Sequence, residues 1–163
     1  GENGEAIANR VGSIAAEASS GQGDPAGFVK AMSDPDSAVR YWAATGIGNL
    51  GTRTKSLAES TMKESLTDPS SAVRTASARA LCRMDSPSDA LPVLIKELTT
   101  GAQWERLHAA IVLDEIDDQA RPVIEPMREG LNYQEGFNSD GKYRVRVINR
   151  ALNELEGSDK VVM

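Results

Sequence analysis

The sequence predicts an all-α fold, a short α-α superhelix of about four helix pairs preceded by one N-terminal helix. Aromatic residues make up only 4% of the 163 residues, and small and aliphatic side chains fill most apolar positions. Such side chains let helices pack closely, whereas a sheet protein is usually richer in β-branched and aromatic residues. A motif also recurs along the chain, which is typical of stacked repeats. We therefore expect a single repeat domain over residues 1–163.

The recurring motif marks the second helix of each predicted pair. Residues 34–40, DPDSAVR, return at residues 68–74 as DPSSAVR. The apolar positions after the motif's arginine also recur, and they follow the three-to-four spacing of one helix face. A weaker copy ends at residues 151–155, with Arg146 one place off register. The predicted buried positions are Ala43, Ala44, Ile47 and Leu50, then Ser77, Ala78, Leu81 and Met84, and then Ala109, Ala110, Leu113 and Ile116.

Capping residues set the predicted helix ends. Asp34 and Asp68 are predicted N-caps, each followed by a proline at the first helical position, where a missing N–H costs nothing. Gly51 and Gly157 are predicted to end helices in a left-handed conformation. Ser86 is predicted to cap the start of the third pair. The expected elements are an N-terminal helix at 5–19, helix pairs at 24–51, 53–85, 86–117 and 118–157, and a loop inserted at 132–142.

Charge and composition exclude several classes of function. The net charge of −6 and the pI near 4.9 argue against a nucleic-acid partner, because phosphate binding needs a basic patch. No stretch approaches the roughly 18 apolar residues of a membrane span. Cys82 is the only cysteine, so no disulfide forms within the chain, and we expect no cofactor. The opening GENGE resembles an arbitrary cut, so we expect a fragment of a longer polypeptide whose compartment is not predicted.

No residue group predicts catalysis or metal binding. His108 is the only histidine, and no further histidine or suitably placed cysteine accompanies it as a zinc ligand. Carboxylate pairs at 114–115 and 117–118 lack the spacing and the glycine of a calcium-binding loop. We interpret them as a solvated face or as helix caps.

Arginine recurs at equivalent positions in three copies, as Arg40, Arg74 and Arg106. One interpretation is a ladder of anion-binding guanidinium groups. The favoured interpretation is structural, with each arginine bonded to carboxylates or turn carbonyls between repeats.

Five large side chains lie off the predicted core stripe: Tyr41, Trp42, Trp104, Leu107 and Ile111. At 100° per residue, Tyr41, Leu107 and Ile111 lie on the far side of their helices from the buried stripe, and the tryptophans lie at its margins. Large apolar groups in such places are typical of a protein interface. For the tryptophans, the alternative is packing between repeats or against the N-terminal helix.

The opening Asp-Pro-x-x-x-Val-Arg-x-x-Ala-Ala resembles the HEAT repeats, an armadillo-like class, and particularly the subgroup found in phycobilisome lyases. The likeness covers most of residues 24–157. The stretches 40–44, 90–94, 104–110, 121–122 and 149–155 are more narrowly similar to the C-terminal HEAT extension of some bacterial sulfatases. That resemblance implies a non-catalytic scaffold that docks on a protein surface, namely the catalytic domain of the same chain, in a periplasmic or secreted protein.

The resemblance does not extend to an active site. Sulfatases of that family use a Cys/Ser-x-Pro-x-Arg motif, and the sequence after Cys82 lacks its proline. Any sulfatase active site would then lie outside residues 1–163. Two alternatives remain open from the sequence: a bilin-lyase-like protein that handles a tetrapyrrole, and a HEAT-like nucleic-acid binder of the glycosylase type. The acidic charge opposes the second alternative.

Overall fold

The structure, a computed structural model, describes residues 4–132 and 141–161, and these contain helices and turns but no strand. The predicted all-α class is confirmed. Most of the predicted loop at 132–142 lies outside the described residues. The α-helices are α1 (Gly4–Ser20), α2 (Pro25–Ala31), α3 (Ser37–Leu50), α4 (Lys55–Glu64), α5 (Ser71–Arg83), α6 (Ala90–Thr100), α7 (Gln103–Glu115), α8 (Ile124–Met127) and α9 (Lys142–Glu156).

The chain divides into two compact units, Gly1–Ala90 and Leu91–Met163. In the first unit, α3 packs side by side with α1 on one flank and with α5 on the other. Helices α2 and α4 pack against each other and against α3 and α5, respectively, as a second layer. This unit therefore has the two-layer stacking that the repeated motif predicts.

In the second unit, α7 packs against α9, and residues 117–131 connect them through 3-10 turns and the short α8. The sequence predicted one helix over 118–132. That prediction was wrong in its regularity, because Pro122 and Pro126 each remove a backbone donor and crowd the preceding turn. Helix α6 also begins later than predicted, at Ala90, because residues 87–89 form a turn.

The predicted core stripe is confirmed in each copy. All the predicted positions of the first three copies are buried, including Met84 just after α5 and Ile116 just after α7. Ala151, Leu152 and Leu155 of α9 are buried as well. Small residues dominate these positions, so the helices approach closely and leave little room for added volume.

The Asp-Pro pairs form turns before the helices, and the predicted caps were wrong by two residues. The Asp34 carboxylate accepts a hydrogen bond from the Asp36 N–H at 2.8 Å, and Asp68 accepts one from the Ser70 N–H at 2.8 Å. An aspartate bonded two residues onward is an Asx turn. Asp36 is the N-cap of α3 and accepts from the Ala38 N–H, while Ser70 is the cap position of α5.

The second helices end at residues with positive φ. Gly157 is left-handed as predicted, with φ of 63° and ψ of 42°. Gly51 has a φ of 60° but a ψ of −137°, so it is not in the predicted left-handed helical conformation. Its positive φ with this ψ still favours glycine, because glycine has no Cβ. Asp85 and Asp117 occupy the equivalent places with φ of 57° and 48°. Aspartate tolerates this region better than most residues, so a recurring turn survives without glycine.

Two glycines inside α3 are explained by close packing. A Cβ at Gly46 would lie 2.5 Å from the ring of Phe28 in α2, and a Cβ at Gly48 would lie 3.2 Å from the Cα of Ala80 in α5. Phe28 is itself fully buried. Helix α3 thus presents one glycine to α2 in the second layer and one to its neighbour α5 in its own layer.

We expect Gly46→Ala to destabilise the protein by about 1–3 kcal/mol, the usual cost of overpacking a core, despite the higher helix propensity of alanine. Gly12→Ala in α1 is the matched control, because nothing lies within 4 Å of its added Cβ. That change should stabilise the protein by roughly 0.5–1 kcal/mol. Denaturant unfolding of both variants measures the difference. Equal effects of the two changes would contradict the packing argument.

Candidate functional site

The repeated arginines bond to the turns that precede their helices. Arg40 Nη1 donates to the two carbonyl oxygens of its own Asp-Pro pair at 2.9 and 3.0 Å, and Arg74 Nη1 donates to its own pair at 2.8 and 3.1 Å. The third copy has no Asp-Pro pair, and there Arg106 Nε donates to the carbonyl oxygen of Leu98 at 2.9 Å.

Arg40 also reaches the next repeat. Its Nε and Nη2 donate to the two carboxylate oxygens of Asp68 at 2.8 and 3.0 Å, in the two-point geometry that makes such pairs strong. In the same way, Arg10 of α1 pairs with Asp34 at 3.2 Å. Arg10 of α1 and Arg40 of α3 therefore each hold the Asx turn that precedes the neighbouring helix, α3 and α5 respectively.

The electrostatics of Asp68 follow from this position. Burial, the largest single effect, raises the pKa of the Asp68 carboxyl. The hydrogen bonds from Arg40 and the Ser70 N–H, with the charges of Arg40 and Arg74, together outweigh burial and leave the pKa below its usual value. The folded state therefore favours the ionised carboxylate.

In the first unit, the predicted interface residues Tyr41 and Trp42 are half-buried and pack on each other. Their ring centroids are 5.3 Å apart with an interplanar angle of 74°, an edge-to-face contact. Thr75, the equivalent of Tyr41 in α5, is only 1% exposed. The side of the helix that the sequence assigned to solvent is thus covered at this place.

In the second unit, the predicted residues of α7 are more accessible. Trp104 is 73% exposed and Ile111 is 46% exposed, while Leu107 is half-buried. The spacing of three and seven residues places the three side chains within about 60° of one another around the helix. They form an apolar stripe along α7.

Helix α9 carries a matching stripe that was not predicted from the sequence. Tyr143 is 69% exposed, and Arg146 and Arg150 are exposed at the same spacing of three and seven residues. The helix is fixed in rotation by Arg144, which is buried and donates from Nε to the carbonyl oxygen of Gly130 at 3.0 Å. The signal was present in the sequence, since aligning the leucines of the third and fourth copies places Tyr143 opposite Trp104.

The C-terminal ends of α7 and α9 lie together, because Leu113 and Asp114 line one small cavity with Ala151 and Leu155. Near the start of α9, burial and then the charge of Arg106 lower the pKa of the Arg144 guanidinium. Near the other end, Arg150 forms a two-point ion pair with Asp114, with its Nε 3.0 Å from one carboxylate oxygen. The helices therefore run parallel, and the ion pair with Asp114 places Arg150 of the α9 stripe beside α7, one turn beyond Ile111.

We name this region the α7/α9 surface: Trp104, Leu107 and Ile111 from α7, with Tyr143, Arg146 and Arg150 from α9. It combines two exposed aromatic side chains, two aliphatic side chains and two guanidinium groups on a chain of net charge −6. Aromatic and arginine side chains are the types enriched at the centres of protein interfaces.

The acidic cluster at residues 114–118, His108 and Cys82 were the remaining candidates for a chemical role, and their surroundings in the structure favour structural roles. Asp114 is paired with Arg150, and Asp118 is paired with Arg121 at 2.8 Å, so arginines offset part of the acidic cluster. Asp117 occupies the positive-φ position after α7. His108 is half-buried on α7, and Cys82 is fully buried. Within residues 4–132 and 141–161, no three acidic, histidine or cysteine side chains are grouped as a metal site.

Among the helices that the structure describes, none is both long enough and apolar enough to cross a membrane. Their stacking defines an all-α repeat protein, a class in which each repeat packs on its neighbours and the stack offers extended surfaces for binding. Residues 25–114 match the HEAT repeats, and this match covers more than half of the chain. The chain belongs to the HEAT-repeat family. Comparison with the curated proteins gives no match. The family makes this chain a helical scaffold or interaction module.

Proposed function

We propose that this chain is a non-catalytic module that binds a protein surface, and that the α7/α9 surface makes the central contact. The observation that carries the proposal is the exposure of Trp104, 73%, in line with an exposed Ile111 on the same helix face. Arg40, Arg74 and Arg106 keep a structural role in this proposal, because each bonds to backbone carbonyl oxygens.

Burial of the apolar stripe would supply the driving force for binding. Removing apolar area from water is worth about 25 cal/mol per Å², and a single tryptophan side chain can bury 150–250 Å². Tyr41 and Trp42 contribute less in this proposal, because they are already half-buried against each other. The partner is therefore expected to offer an apolar pocket for Trp104.

The arginines on α9 define the polar part of the partner. Arg146 is exposed, and the structure shows no ion pair for it within the described residues. Arg150 is already paired with Asp114, which holds its guanidinium beside the apolar stripe of α7. We expect carboxylates of the partner to meet Arg146, with the apolar pocket alongside.

We further propose that the partner is the catalytic domain of a bacterial sulfatase in the same polypeptide, which would make the protein periplasmic or secreted. The support is the sequence resemblance of residues 90–94, 104–110 and 149–155 to the HEAT extension of such enzymes. A covalent linker raises the effective concentration of the two domains, so a modest surface suffices to keep them docked. A Cys/Ser-x-Pro-x-Arg motif elsewhere in the natural polypeptide is the feature that this part of the proposal requires.

The test is the double variant Leu107→Ser/Ile111→Ser, titrated calorimetrically against the remainder of the natural polypeptide. We expect association to weaken at least about tenfold, or roughly 1.4 kcal/mol, as for loss of an interface anchor. Leu57→Ser is the matched control, because Leu57 is 50% exposed on α4 and lies outside the proposed surface. It should leave association unchanged.

Two results would contradict the proposal. If the double variant binds as tightly as the unchanged chain, the α7/α9 surface is not the contact. If the double variant unfolds readily while the folded fraction still binds normally, Leu107 and Ile111 are core residues of the module. Circular dichroism of each variant, recorded before titration, separates these two cases.

A further inference from the structure

Helix α1, predicted from the sequence as an extra N-terminal helix, is equivalent to the second helices α3 and α5. Arg10 pairs with Asp34, the Asx-turn aspartate of the next repeat, as Arg40 pairs with Asp68. Gly21 follows α1 with a φ of 67°, as Gly51 follows α3 with a φ of 60°. Arg10 and Gly21 each lie thirty residues before their counterparts, Arg40 and Gly51. Helix α1 also packs on α3 as α3 packs on α5.

Each repeat is a pair of helices, so the second helix of a repeat is expected to pack against the first helix of the same repeat. Helix α2 packs against α3, and α4 packs against α5, so α3 and α5 each have a partner in the second layer of this unit. No helix of the described residues occupies the corresponding place beside α1. The repeat geometry places it next to α2, on the side away from α4.

An open groove of about 620 Å³ lies at that place. Helix α1 supplies Ile14 and Ser13 to its wall, and α2 supplies Phe28 and Ala31. Ile14 and Ala31 are half-buried, and the exposed part of each side chain lines the groove. The end repeat of a helical stack normally presents a polar outer face to water. This groove instead continues the apolar interface between the layers.

We propose that an amphipathic helix packs into this groove as the first helix of the pair that α1 completes, and that the stretch of the natural polypeptide leading into α1 supplies it. The occupant is a helix because the same layer is filled by helices α2 and α4. Its inner face is apolar where it meets Ile14, Phe28 and Ala31, and its flanks are polar because charged residues also line the groove: Arg10, Glu17, Lys30 and Asp34. This inference does not rest on the proposed function, because it concerns the first unit alone.

Thiol labelling tests the proposal. Cys82 is fully buried, so a cysteine introduced on α1 reports its own surroundings. Ser13→Cys places a thiol in the groove, and Ser19→Cys places one about 120° around the same helix, outside the groove lining, where the side chain is also exposed. Both variants are labelled with an aromatic disulfide reagent, once in residues 1–163 and once in the intact natural polypeptide.

We expect the groove thiol to react at least about tenfold more slowly in the intact polypeptide than in residues 1–163, because labelling then requires local opening. The Ser19→Cys thiol should react at the same rate in both. Equal rates for the Ser13→Cys thiol in the two chains would overturn the proposal. Protection that grows with protein concentration would also overturn it, since a second copy would then fill the groove.

Discussion

Replacing Leu81 or Leu113 with alanine is expected to lower the free energy of unfolding by about 2–5 kcal/mol, the usual range for a buried leucine. Both side chains are 0% exposed, one in each unit, and both lie at the same position of the repeated stripe. The loss combines the removed apolar surface with the cavity that the closely packed helices cannot fill. Denaturant titration followed by circular dichroism measures it.

Leu57→Ala is the matched control, because Leu57 is a helical leucine that is 50% exposed. Its truncation should cost well under the core values, at roughly 1 kcal/mol or less. A loss below about 1 kcal/mol at both Leu81 and Leu113 would mean that the buried face of the repeats is assigned incorrectly.

Asp68→Ala is expected to cost about 1–3 kcal/mol, because it leaves the Arg40 guanidinium without its carboxylate and removes the bond that shapes the turn. Both side chains of the pair are largely shielded from water. The exposed pair of Asp118 and Arg121 is the control, and Asp118→Ala should cost less than roughly 0.5 kcal/mol. Comparable losses at the two aspartates would contradict the role given to Asp68.

The same prediction has a pH dependence. The pKa of Asp68 is lower in the folded state than in the unfolded chain, where an aspartate has a pKa of about 3.9. The stabilisation is therefore complete above that unfolded value, and it is lost as the pH falls through the lower folded value. The stability difference between the unchanged chain and Asp68→Ala should narrow below about pH 4. A constant difference from pH 7 to pH 3 would contradict the ionised pair.

The buried stripe was predictable because burial at three-to-four spacing leaves a direct trace in sequence. The first residues of α3 and α5 were not predictable, because an Asp-Pro pair is equally compatible with an N-cap followed by a helical proline and with an Asx turn. The structure shows the Asx turn, with the helix beginning after a cap two residues later. The role of α1 was not predicted, because α1 is not preceded by an Asp-Pro pair and because Arg10 and Gly21 lie 30 residues before Arg40 and Gly51, four short of the 34-residue period of the motif.

Residues of the candidate site were predictable only where the angular position of a side chain around its helix determines whether it is exposed. Rotation around α7 placed Trp104 and Ile111 off the core, and the structure exposes both. The same rotation placed Tyr41 outward, but its half-burial against Trp42 depends on a neighbour that helical angles do not describe. Tyr143 was not among the predicted residues, although the alignment of the fourth copy by its leucines places it at the position of Trp104.

The bonds from Arg10 and Arg40 to the Asx turn of the following repeat have an evolutionary consequence. Donor and acceptor belong to successive copies of one motif, so the contact between neighbours is encoded within the duplicated unit itself. A gene duplication that adds a whole copy would supply a new aspartate for the preceding arginine and a new arginine for the following aspartate. Chains of this type can therefore lengthen or shorten by whole repeats without leaving a buried charge unmatched, whereas a partial insertion would break the pairing.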